Sequence, residues 1–192
     1  MKSKKIFVSL IILFSLSVAY NSFGETIDAA NLHTTTTKNG DRDYYEGKLL
    51  DGDYDIFLKD SSSYTFNNYV CDNPMSAVKN IHVKYNNGVM DYKTIKCYSY
   101  NDSLLFESVK NTDSTFTAKS YDTNSNLRRI FNYNSSFLII DISTFYNTGE
   151  LFELTAYDSK KKSIVTTEYN KDKSIKKIKT FKNGKLKSVE IK

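Results

Sequence analysis

The sequence predicts an all-β protein: an extended antiparallel meander of repeated hairpins, preceded by an N-terminal signal helix. Three observations carry this. The 192-residue chain holds 15 Tyr and 12 Phe with no Trp, one Pro and seven Gly, and its abundance of aromatic and β-branched residues suits pleated surfaces. A short motif, an aromatic followed by turn formers and then an apolar residue, returns about every twelve residues. Two Asn-Gly pairs, Asn87-Gly88 and Asn183-Gly184, match the preferred central pair of a type I′ hairpin turn.

At the N-terminus, Lys2, Lys4 and Lys5 precede the apolar run Ile6–Ala19, and small or polar residues follow through Gly24. This is the pattern of an export signal. Ser22 and Gly24 place the cut before Glu25, with a cut after Ala19 as the second option. An uncleaved anchor is the alternative, although the run is short for a span of roughly 20 residues. The first cysteine, Cys71, is too distant to be an acylated lipoprotein cysteine. The expected destination is the periplasm or the exterior. No segment after residue 24 resembles a further membrane span. Residues 25–43, including Thr34–Thr37, lack the rhythm and are expected to form a flexible leader. Residues 44–192 then form one repeat domain, a size able to bury a core if the chain folds compactly.

The rhythm is clearest in the C-terminal half. Its aromatics are Tyr121, Tyr133, Tyr146, Tyr157, Tyr169 and Phe181, spaced 12, 13, 11, 12 and 12 residues apart. Each interval accommodates a strand of about seven or eight residues and a tight turn, so two intervals make a hairpin unit of roughly 24 residues. The turn formers have a mechanism: Asn and Asp tolerate left-handed backbone and bond their own main chain, and Gly149, within "YNTGEL", has no Cβ to clash. Upstream, "YNNGVM" from Tyr85 and "YNDSLL" from Tyr100 continue the pattern, and Asn39-Gly40 is a weaker third Asn-Gly turn.

Helix is the competing reading for the lysine-rich end, because Ile175, Ile178 and Lys182 can share a helical face. Asn170, Asp172 and Asn183-Gly184 cut that stretch into pieces too short for a stable helix. In "SIKKIKTF", Ile175 and Phe181 face one way and Ile178 the other, so both faces are thinly apolar. That pattern favours an extended stacked sheet over a closed sandwich.

"NGKLKSVEI" from Asn183, "NTGELFELTAY" from Asn147 and "YYEGKLLDGDYDIF" from Tyr44 resemble the repeats of the MORN-variant proteins, often labelled YwqK-type antitoxin components. Gly47, Lys48, Leu49, Gly52 and Tyr54 match the double-glycine form of that repeat. The resemblance implies a rod-like or curved MORN-like open sheet used for interaction. A repeat is an architecture, however, and the antitoxin label does not by itself assign a function.

Charge divides the chain. Residues 25–159 carry 12 Lys or Arg against 19 Asp or Glu, whereas residues 160–192 carry 12 Lys against 3 acids. An acidic body with a basic end can be drawn to anionic lipid or polysaccharide, while lysines on exposed strands also keep edges soluble. The two cysteines, Cys71 and Cys97, permit one intramolecular disulfide in an oxidising compartment. In the chain-entropy model that bridge contributes about 3–4 kcal/mol; two unpaired thiols are the alternative.

Catalytic and ligand motifs are weak. A reactive thiol needs a base, and neither His33 nor His82 lies in a catalytic signature. "DGDYD" (Asp51 to Asp55) has acidic calcium-loop spacing, but Ile56 and Ser62 stand where Gly and a bidentate Glu are needed. Gly47-Lys48 and Gly184-Lys185 lack the remainder of a phosphate loop. The aromatics between Tyr157 and Phe181 fall at strand ends, so core packing is preferred to base stacking. "CDNPMSAVK" from Cys71 breaks the rhythm, and Asn73 with Pro74 suits a helical turn there. The expectation is an exported non-enzymatic protein, with no cofactor, metal or nucleic acid, that binds a protein partner. The alternative is attachment of its Lys-rich C-terminal strands to an anionic envelope surface.

Overall fold

The structure, a computed structural model, describes residues 24–58 and 77–192. Residues 1–23, which hold nearly all of the expected export signal (1–24), together with Cys71 and the expected helical turn at Asn73-Pro74, lie outside the described residues. The chain begins with β1 (Glu25–Asp28), a single 3-10 turn (Ala29–Asn31), β2 (Leu32–Thr37), β3 (Gly40–Tyr45), β4 (Lys48–Leu49) and β5 (Gly52–Phe57). Next come β6 (Val78–Asn86), β7 (Val89–Ser99), β8 (Leu104–Lys110), β9 (Phe116–Tyr121) and β10 (Leu127–Tyr133). The remaining strands are β11 (Ile139–Phe145), β12 (Leu151–Asp158), β13 (Ser163–Tyr169), β14 (Ile175–Lys182) and β15 (Lys185–Ile191).

From β5 to β15 each strand pairs antiparallel with the next, giving an open meander, and β1 joins β5 in parallel to make twelve strands. This is the expected all-β hairpin array. The lysine-rich end forms strands β13 to β15 and not a helix.

Residues 25–43, read from the sequence as a flexible leader, carry regular structure instead. β1 places Ile27 opposite Ile56, where it is almost fully buried. β2 and β3 make a hairpin, and with β4 form a second, three-stranded sheet. The threonine run suits it because β-branched residues favour strands. Its hydroxyls also have partners: Thr34 donates to Asp43 at 2.6 Å and Thr36 to Asp41 at 2.8 Å. These are cross-strand relationships, invisible to a search for a twelve-residue rhythm.

The connections explain how the rhythm becomes a sheet. At Ser99, Asn111, Asp122, Asn134, Tyr146 and Asn170 the backbone N–H donates to the carbonyl four residues on, at 2.8–2.9 Å. The fourth residue of each turn takes positive φ: Asp102, Ser114, Ser125, Phe137, Gly149 and Lys173. Only one of these is glycine, so five turns accept the left-handed cost of an L-residue, about 1–2 kcal/mol each. Side chains offset part of it. Asp122 Oδ1 accepts from the N–H groups of Asn124 and Asn126, and Asn134 Oδ1 accepts from those of Ser136 and Leu138.

The core is confined to the N-terminal half of the sheet. Ile27, Ile56, Ile81, Cys97 and Phe106 form one continuous cross-strand row from β1 to β8, and all five are buried. Leu32, Tyr45 and Leu50, from the small sheet and its exit, pack against this cluster. The small sheet is also tied to the β6–β7 hairpin, since Asp43 N–H donates to the Gly88 carbonyl at 2.8 Å and Gly88 N–H to that of Leu50 at 2.6 Å. From β11 to β15 no residue is buried. The chain is anchored at one end and open at the other.

Candidate binding surface

Strand alternation turns the register into two lateral rows on opposite faces. The face opposite the core row carries Asp55, His82, Lys96, Glu107 and Lys119 in successive register across β5 to β9. His82 Nδ1 lies 3.0 Å from Asp55 Oδ1, and Lys119 Nζ 3.3 Å from Glu107. Tyr121 donates its hydroxyl to Glu107 at 2.8 Å. Burial first, then the Glu107 carboxylate, pushes the Tyr121 pKa up to about 12. Burial, with Asp55 and Glu107 adding to it, also raises that of Tyr98. Both phenols therefore stay protonated at neutral pH, as hydrogen-bond donors rather than bases. Cys97 faces the core beside Ile81, whereas the neighbouring pair His82 and Lys96 lies on the other face. The imidazole and the thiol are thus separated by the sheet. Cys71, its proposed disulfide partner, is outside the described residues.

From β10 onward the opposite-face row becomes apolar and small: Ile130, Ser143, Leu154, Thr167 and Ile178. The core-side face continues as Thr144, Glu153, Glu168 and Lys177, beside Ile142, Thr155, Thr166 and Lys179. Lys179 Nζ donates to Glu168 at 2.7 Å, and the hydroxyls of Thr155 and Thr166 lie 3.1 Å apart. Both faces mix apolar and polar groups without a covering layer among the described residues.

The repeat-turn residues lie at the ends of this sheet. Asn87 and Gly88 (φ 50 and 76), Asn183 and Gly184 (φ 51 and 72), and Glu46 and Gly47 (φ 49 and 79) occupy the central positions of three two-residue hairpin turns. At the Asn39-Gly40 turn, positive φ falls on Gly40 alone, because the two-residue connection is Lys38-Asn39. Gly52 (φ 119) opens β5, and Asp51 of the "DGDYD" stretch accepts the Asn87 N–H at 3.0 Å. With Asp51 on that hairpin and Asp55 on His82, these acids serve separate contacts.

Tyr146 and Tyr157 mark opposite ends of β12, and a shallow groove adjoins each. Tyr146 donates its hydroxyl to the Tyr169 carbonyl at 3.0 Å, and its ring meets Phe152 at 5.1 Å and the Lys171 ammonium at 5.6 Å. Its groove, of about 480 Å³, is also lined by Arg128 and Thr144. Tyr157 lies opposite Ile164 and borders a groove of about 520 Å³ with Leu138, Ile139 and Gly184. The sequence marked the aromatics but not these grooves, which arise because successive turns stack in space.

The lysines do not converge on one face. Lys160, Lys161, Lys162, Lys182 and Lys185 cluster around the adjacent loops at one end of the sheet, where Asn183 N–H reaches the Lys162 carbonyl at 2.9 Å. Lys171 and Lys173 lie in the connection at the opposite end. Several nearby acids are held ionised. The Lys179 ammonium depresses the Glu168 pKa by hydrogen bonding, the Lys161 N–H that of Asp158, and the Ser174 hydroxyl that of Asp172. Their stabilising contribution is complete above the unfolded carboxyl pKa of about 4 and is lost as pH falls through the lower folded values. The urea midpoint should therefore drop on acidification below about pH 4, with Glu168→Gln flattening the slope. A midpoint unchanged at lower pH contradicts this assignment.

These features define a class by shape: an open hairpin sheet, covered at its N-terminal end by a small second sheet and exposed on both faces from β11 to β15. No known protein family matches the chain, and no curated protein matches it. Among the described residues no helix is long and apolar enough to cross a membrane, and no group of three potential metal ligands occurs.

Proposed function

We propose that the protein is an exported, non-enzymatic repeat module, of the MORN-variant type its motifs resemble, that binds or scaffolds another protein through its open sheet. The observation that carries this reading is the contrast between a buried core on β5 to β10 and the absence of any buried residue on β11 to β15. A folded sheet with exposed apolar and polar residues on both faces offers contact area without needing to rearrange. Export is supported by the N-terminal signal pattern, and β1 starts at Glu25, so a cut before that residue leaves the strand whole. Attachment to an anionic envelope is less favoured, since the lysines spread over both sheet ends.

The test is affinity purification of the secreted, processed protein, with co-purifying molecules identified by mass spectrometry and binding reconstituted from purified components. The expected result is a protein partner whose recovery falls when Val165 and Thr166, one on each face, are replaced by arginine. Recovery of lipid or polysaccharide alone, insensitive to competing protein, overturns the reading.

A further inference from the structure

We propose that β15 is a docking edge that accepts an extended, carboxylate-bearing strand from the partner protein. This rests on the protein-binding reading above and narrows it to one place and one chemistry.

β15 is the outer strand of the long sheet, and all seven of its residues are exposed. Leu186, Val189 and Ile191 are 53%, 45% and 81% exposed. Lys192 N–H donates to the Lys176 carbonyl at 3.2 Å, and in the same register Glu190 faces Ile178 and Ser188 faces Thr180. Antiparallel ladders alternate, so Ser188, Glu190 and Lys192 direct their backbone groups inward while Val189 and Ile191 direct theirs to the open edge. That outward row is the template for strand addition. The opposite edge, β1, has four residues, one of them buried, and runs into a 3-10 turn. It is too short to serve equally.

Charge selects the occupant. Ile191 is the register partner of Lys177 on the next strand in, and Lys177, Lys185 and Lys187 have no ion pair among the described residues, whereas Lys179, the register partner of Val189, is held by Glu168. A second copy docking through its own β15 brings the same lysines, which repel. A strand bearing Glu or Asp finds complementary charge. The lysines that guard this edge against self-pairing thus favour an acidic partner.

The test uses the full processed chain and a synthetic peptide of alternating valine and glutamate as long as β15, with a valine–lysine peptide as control. Amide exchange should show new protection at Val189 and Ile191, while Ser188 and Glu190 are protected already. The glutamate peptide should bind at least about tenfold tighter than the lysine peptide. Val189→Pro removes an outward N–H that the β14–β15 ladder does not use, and should weaken binding about tenfold or more, whereas Val189→Thr keeps it. Absence of new protection in the wild-type chain, or equal binding of the two peptides, overturns the proposal whether or not the proline variant folds. If a purified protein partner binds folded Val189→Pro undiminished, edge docking fails while the broader reading stands. If no protein partner exists, the broader reading fails first.

Discussion

Phe106→Ala is expected to lower the stability of the folded chain by about 3–5 kcal/mol. Phe106 is 2% exposed and ends the row that begins at Ile27 and passes through Ile56, Ile81 and Cys97. Removing the ring leaves a cavity on the core face, and its register neighbours Cys97 and Ser120 are too small to fill it. Ile178→Ala on β14, whose neighbours are Thr167 and Glu190, should cost only about 1 kcal/mol. Urea unfolding of both variants, with site-resolved amide exchange, separates them. The first should reduce protection throughout β5 to β9, and the second locally at β13 to β15, as nearest-neighbour coupling in a stacked array requires. Equal costs would contradict a core restricted to the N-terminal half.

The second large effect lies at a turn. Gly88 and Gly184 both sit at the second position of Asn-Gly hairpin turns, with φ of 76 and 72, so alanine pays a similar left-handed strain of about 1–2 kcal/mol at each. Their surroundings differ. A Cβ on Gly88 would clash with Leu49 Cδ1 and lie 3.0 Å from Arg42 Cδ, whereas one on Gly184 meets nothing within 4 Å. Leu49 can swing partly aside, but the backbone at Gly88 is held by hydrogen bonds to Asp43 and Leu50. Gly88→Ala should therefore cost about 3 kcal/mol or more and Gly184→Ala about half that. Thermal unfolding measures both, and an equal loss would show that the docked small sheet adds no constraint at Gly88.

The alternation of aromatic and turn residues made the meander from β9 to β15 legible, because each hairpin is built from contacts a few residues apart. The turns remain recognisable without glycine since Asp122 and Asn134 bond their own main chain. Residues 25–45 were less legible. Ile27 acquires its place only opposite Ile56, and the threonines only opposite Asp41 and Asp43. His82 likewise gains meaning from Asp55, 27 positions earlier in the chain.

The candidate surface divides in the same way. Lys185 and Lys187, with the apolar Leu186, Val189 and Ile191, are visible in the sequence as a basic terminal strand. Their placement on an outer edge, and the choice of Val189 and Ile191 as the outward-facing pair, depends on which strand lies beside them and in what register. By itself the sequence determined the strand rhythm, the turn positions and the split between an acidic body and a basic end, all properties of local spacing and composition. Tertiary structure decided where the core lies, that the small sheet covers one end of the array, and which groups remain open at the other. Those outcomes depend on long-range register, since a slip of one residue would exchange the buried and exposed faces of a strand.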